Sequence, residues 1–193
     1  MKNPFKKSLL LAGVSLLLAA CGGTEAEPTR GELETQQSGL LAACTETEEL
    51  TEVVEHACIH AELGPFQNLT AAALGTVPFV DVNLPHTGYV ITLPANSSSC
   101  GWGGSVNFIP EESGEFAFLL SRYPGLRIFN GTTEVGLECR FQVPTEVCGA
   151  LRNAIIADLE AGVEYRLEFQ TLKQSNAQFT LVVEEAAHHD HQE

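Results

Sequence analysis

The sequence predicts a mainly β protein: an antiparallel, jelly-roll-like β-sandwich with one N-terminal amphipathic helix packed on it. Three observations carry that expectation. Around Tyr165-Arg166-Leu167-Glu168-Phe169 the chain alternates, with Val163, Tyr165, Leu167 and Phe169 on one side and Glu164, Arg166 and Glu168 on the other, the period of a strand with one wet face. Five more short β-prone runs are bounded by Gly, Pro, Asn and Ser: Tyr89–Leu93, Ser105–Phe108, Phe116–Leu119, Leu126–Phe129 and Phe179–Val183. Strands this short and this close together favour two packed sheets. Ahead of them, Leu50, Val53, Val54, Ala57 and Ala61 recur at helical spacing, Thr45 and Glu48 form a capping box, and Gly64-Pro65 stops the run. A helix is therefore expected over residues 46–62.

The first residues read differently. Lys2, Lys6 and Lys7 precede an apolar run of thirteen residues, Ser8 to Ala20, and then Leu18-Ala19-Ala20-Cys21-Gly22. The run is too short for a bilayer whose hydrocarbon needs about 20 residues, and its layout is that of a secretory signal. It resembles the lipobox of bacterial lipoproteins, which implies cleavage before Cys21 and lipidation of that cysteine with acyl chains. Gly22 rather than Asp at the next position implies, by the same resemblance, delivery to the outer membrane, facing the periplasm or the surface. Residues 1–20 are thus a signal peptide and 21–39 a lipidated tether. Gly22 to Gly39 lacks apolar periodicity and is rich in Gly, Glu, Thr and Gln, so it cannot bury enough surface to offset its ordering entropy. The expected layout continues with the helix in 40–66, the sandwich in 67–186 and a His-rich acidic tail in 187–193.

Charge excludes some partners. The formal charge is −15 for all 193 residues, and loss of the three N-terminal lysines makes it −18. Lys173 and six scattered arginines form no basic cluster, so nucleic acid is excluded as a partner, and the membrane is reached through the lipid anchor instead. Cations are concentrated by such a surface. The acids are 22 Glu and three Asp (Asp81, Asp158, Asp190), too few Asp for a calcium loop of the Asp-x-Asp-x-Asp-Gly kind.

Two segments repeat one phrase, Glu112-Ser113-Gly114-Glu115-Phe116-Ala117-Phe118 and Glu160-Ala161-Gly162-Val163-Glu164-Tyr165-Arg166-Leu167, and the second is followed by Phe179-Thr180-Leu181-Val182-Val183. Over residues 86–184 this resembles the pre-peptidase C-terminal type of bacterial β-sandwich. The resemblance implies a fold and brings no catalytic residues. Cys58-Ile59-His60, Gly64-Pro65-Phe66, His86-Thr87 and the terminal histidines are in turn similar to a group of small Gram-negative lipoproteins without an established activity. In that pattern a methionine follows the first histidine; Ala61 stands there in this chain.

Besides Cys21, cysteines occur at 44, 58, 100, 139 and 148, and an exported protein is expected to pair them. Cys139 can clip a loop with Cys148. Alternatively Cys58 joins Cys148 and Cys100 joins Cys139, the scheme the second resemblance implies and the one preferred, which leaves Cys44 as the odd thiol.

All six histidines fall in three places: His56 and His60, His86, and His188, His189 and His191 in the tail HHDHQE. Tail imidazoles with Asp190 and Glu193 supply nitrogen and oxygen donors suited to zinc, nickel or copper, although terminal histidines are also commonly solvated and idle. His56 and His60 are four apart and share a helical face, the spacing with which two imidazoles grip one ion, and they amount to a solvated pair unless His86 or the tail lies nearby. Cys58 projects to the opposite flank from His60, so a disulfide is its expected fate.

No nucleophile elbow, His-Glu-x-x-His, Walker loop or dinucleotide fingerprint is present, and no enzymatic activity is expected. The function expected is a lipid-held protein that binds divalent transition metal through His60, His86, His188, His189 and His191, serving a metal-uptake or envelope protein partner. The alternative is a structural or adhesive module whose loops near Trp102 and Tyr123 bind a protein or glycan.

Overall fold

The computed structural model describes residues 41–96 and 100–187. They form a mainly β body of two sheets and one α-helix, α1 (Thr47–Leu63). The helix lies within a residue of the range its periodicity predicts. Its start does not follow the capping box: Glu46 stands at the N-cap without a side-chain bond, and Thr45 contributes its carbonyl to Thr47 N–H instead.

The strands are β1 (Phe66–Thr70), β2 (Ala72–Ala73), β3 (Gly88–Thr92), β4 (Trp102–Phe108), β5 (Gly114–Leu120), β6 (Gly125–Asn130), β7 (Thr133–Val135), β8 (Cys139–Gln142), β9 (Asn153–Leu159), β10 (Tyr165–Thr171) and β11 (Gln178–Ala187). One sheet runs β1-β3-β11-β5-β9-β8 and the other β2-β4-β10-β6-β7. Neighbours pair antiparallel except at the edge of the first sheet, where β1 lies parallel to β3, a departure from the all-antiparallel expectation. A parallel partner needs a crossover. Here the segment 74–87 supplies it, and that segment carries His86.

Side chains of the two sheets meet in one apolar layer. Tyr89, Ile91, Phe118, Leu120, Ile155, Phe179 and Leu181 of the six-stranded sheet face Val106, Leu126, Ile128, Leu167 and Phe169 of the five-stranded one. The six-stranded sheet has a second apolar layer on its outer face, where Leu50, Val54 and Ala57 of α1 lie with Ala117, Leu119, Ala154, Ile156 and Val182. Alternate residues of β5 thus serve different cores: Phe116, Phe118 and Leu120 the inner one, Ala117 and Leu119 the one under the helix.

Two disulfides fix the helix to this face. Cys58 of α1 is bonded to Cys148, with Cα atoms 5.7 Å apart. Cys44 is bonded to Cys139 with Cα atoms 5.0 Å apart, which corrects both the Cys100–Cys139 pairing and the view of Cys44 as the odd thiol. The reason is backbone pairing. Ala43 bridges Arg140 in parallel, Cys44 N–H donates to Arg140 O and Arg140 N–H to Ala42 O, so Cys44 arrives beside β8 at bonding distance. Cys100 precedes β4, which belongs to the other sheet, and Cys139 is taken by Cys44. Among the described residues no helix is long and apolar enough to cross a membrane. Cys21 and its lipidation, and His188, His189 and His191, lie outside the described residues.

Candidate metal centre

Three elements bring four donors together at one end of the helix: His56 and His60 from α1, His86 from the crossover before β3, and Glu184 from β11, with one donor atom of each within 4.8 Å of the others. Ring centroids are 4.9 Å apart for His56 and His60, 5.0 Å for His56 and His86, and 4.9 Å for His60 and His86. His56 Nε2 is 3.4 Å from His60 Nε2, and on its other side His56 Nδ1 is 3.3 Å from Glu184 Oε2.

Each donor has a local cause. His56 and His60 are one helical turn apart, and α1 is registered on β11 by the packing of Leu50, Val54 and Ala57 and by the Cys58–Cys148 bond. Glu184 follows from strand alternation: Val182 and Ala186, two residues either side, are buried under the helix, so Glu184 points to that face too. His86 is placed by its loop. The buried Tyr89 hydroxyl donates to Leu84 O (3.2 Å) and accepts from Leu84 N–H (2.7 Å), Thr87 Oγ1 donates to Pro85 O (3.0 Å), and Gly88 N–H donates to Pro65 O (2.9 Å). His86 itself has φ 51°, the left-handed region that few non-glycine residues occupy. Such strain persists where its surroundings over-determine it, and it concentrates at ligand sites.

Gly88 sets the spacing between this loop and the helix. A Cβ there meets His60 O at 2.8 Å and the Phe66 ring at 2.9 Å. Any larger residue therefore pushes the crossover off the helix end and His86 away from His60.

The electrostatics are unresolved by the protein's own groups. His60 Nδ1 and Glu184 Oε1 are buried with no hydrogen-bond partner. Burial pushes the Glu184 carboxyl above its ordinary range; His60 and His86 pull it back in part, and Glu185 adds repulsion. A buried polar atom without a partner costs about 1–3 kcal/mol, so the cluster is held together by the scaffold around it.

Sequence reasoning singled out His60 and His86, and the structure brings these two together. It recognised the His56–His60 spacing but left His56 out of the ligand set, and it missed Glu184. The helical spacing was the available signal for His56. For Glu184 there was none, since a Glu-Glu pair in an alternating strand looks like a wet edge. A second group, Cys58, Glu62 and Cys148, also lies within donor distance, but its sulfurs are spent in the disulfide. No protein-family model matches the chain, and neither does any curated protein.

Proposed function

We propose that this protein binds a divalent transition metal ion through His56, His60, His86 and Glu184, on a jelly-roll-like sandwich held at the outer membrane by lipid on Cys21. The observation that carries the reading is the convergence of three imidazoles and a desolvated carboxylate from three separate elements. Two donors each about 2.0–2.1 Å from a tetrahedral zinc lie about 3.3–3.4 Å from one another. The separation of 3.4 Å between His56 Nε2 and His60 Nε2 has that value, while Glu184 Oε2 lies 3.3 Å from the other His56 nitrogen, Nδ1, where it can orient the ring. The acidic surface of the whole chain concentrates cations towards the cluster. Zinc, nickel and copper all suit nitrogen-rich sets. His188, His189 and His191 supply a first, unselective point of capture, and no catalytic step is assigned.

Titration of zinc, nickel and copper into the full chain tests this. Wild type takes up one ion tightly; His60→Ala and His86→Ala each weaken that binding at least tenfold, and removal of residues 188–193 lowers only the weak additional uptake. Equal affinity in wild type and His60→Ala removes the ordered site from the function. Affinity also falls on acidification below about pH 6, because protons compete with metal for imidazole nitrogen.

A second reading has one observation in its favour. Trp102 and Tyr123 line the same groove of about 630 Å³, with Gln170, Lys173 and Asn176 beside them, an aromatic and amide surface of the kind that receives a sugar ring. Binding in a glycan screen that is abolished by Trp102→Ala and indifferent to metal favours this adhesive reading.

A further inference from the structure

The candidate metal centre does not end at the four donors. His86 and Glu184 are also in the wall of a cleft of about 300 Å³. Its origin lies in strand pairing: β3 accompanies β11 only from Gln178 to Leu181, whereas β5 accompanies it as far as Ala187. Past Leu181 the crossover no longer pairs with β11, although His86 still reaches Glu184, and the chain following β4 forms the opposite wall. There Ile109 N–H donates to Asn83 Oδ1 at 2.8 Å, tying the two lips together.

The walls define what fits. Val82, Leu84, Phe108, Ile109, Phe116 and Val183 make most of the lining apolar, and the charged lining residues are all acidic or imidazole: Glu111, Glu184, Glu185 and His86. A volume near 300 Å³ is at the small end of ligand pockets. Carboxylates and phosphates meet Glu111 and Glu185 in this wall, with no lysine or arginine to receive them. A neutral or cationic ligand meets no such repulsion.

We infer that this cleft binds a small, uncharged or cationic nitrogen-donor ligand of the imidazole or amine class, whose donor atom joins the four protein donors as a fifth ligand of the ion while its body rests on the apolar walls. The inference deepens the metal reading and depends on it. The ion is then bound together with an organic companion, and the selectivity of the site is for the pair. Size and charge set that selectivity: the cleft excludes large chelates by volume and acidic ones by repulsion.

Cobalt(II) is the probe, because its visible spectrum changes when a ligand is added to or exchanged on the ion. The full chain is loaded with cobalt, imidazole or acetate is added, and retained cobalt is measured after each addition. Imidazole is expected to shift the spectrum saturably with cobalt retained, while acetate does nothing at the same concentration. Ile109→Trp, which narrows the cleft at a residue that is not a donor, is expected to bind cobalt normally and to lose the imidazole response at least tenfold. Glu111→Lys, at an exposed position, is expected to let acetate act. Failure to bind cobalt at all defeats the metal reading and this inference with it. Normal cobalt binding with no response to imidazole, or an undiminished response in Ile109→Trp, defeats this inference alone and leaves the metal reading standing.

Discussion

The two sheets share one core yet differ on their outer faces. In the six-stranded sheet, Phe116 to Leu120 of β5 and Asn153 to Ala157 of β9 are buried on both sides, because helix α1 and the Val143–Leu151 connection cover what the inner core does not. In the five-stranded sheet, β10 alternates buried Tyr165, Leu167 and Phe169 with half-exposed Arg166 and Glu168. Its outer face carries Arg127 paired with Glu134, Arg166 paired with Glu168, and both guanidinium groups 4.7 Å from the Phe129 ring. The contrast is between β5 and β9 on one side and β10 on the other; β4 of the five-stranded sheet is itself buried from Gly103 to Phe108, where the 80–82 segment pairs with it. A continuous apolar run demands a cover, and an alternating one supplies its own polar finish. The His56, His60, His86 and Glu184 cluster sits at the end of the covered face, where cover and sheet must both be in place for these side chains to meet.

The strongest way to break this contrast is in the covered layer. Leu119→Ala, at a fully buried position beneath α1, is expected to lower unfolding free energy by about 2–5 kcal/mol in chemical denaturation. Next is the staple: replacing Cys58 and Cys148 together by serine is expected to lose about 2–4 kcal/mol and to weaken metal binding, since the helix that carries two donors is no longer fixed to Cys148. Unchanged metal affinity in that double variant makes the staple irrelevant to the site. Smaller, and opposite in sign, is Glu184→Gln in metal-free protein. A carboxyl raised by burial favours the fold below its ordinary range and loses that contribution as pH rises through the raised value. The variant is therefore expected to match wild type near pH 4, to be the more stable of the two at neutral pH, and to bind metal less well. Denaturation midpoints across pH 4–8 check it. Smallest is the open face: Arg127→Ala removes a half-exposed pair and is expected to cost less than about 1 kcal/mol.

The same contrast explains what could be read in advance. Alternation in β10 and helical spacing in α1 are short-range patterns, and both elements fall where those patterns put them. β9, Asn153-Ala154-Ile155-Ile156-Ala157-Asp158-Leu159, was not singled out: being apolar on both faces, it lacks alternation, and its alanines carry little β preference. The parallel placement of β1 depends on a crossover whose path no local pattern records. Cys44 borders the polar tether, and only the bridge from Ala43 to Arg140 shows that the chain already runs along β8 at that point. At the candidate site, His56 and His60 announce themselves by spacing, and His86 by its loop. Glu184 is visible only once the helix is seen lying on β11, because its role is made by a contact across 124 residues of chain from His60.

The Cys44–Cys139 bond also has a mechanical meaning. The chain ahead of Cys44 reaches α1 three residues later, and without the bond a pull from that direction would peel the helix off its sheet turn by turn, starting at Thr47. With the bond in place the load passes through sulfur into the edge strand β8, which is hydrogen-bonded along its length to β9. A load arriving from ahead of Cys44 is thus shared with a paired strand before it reaches the helix that carries His56 and His60.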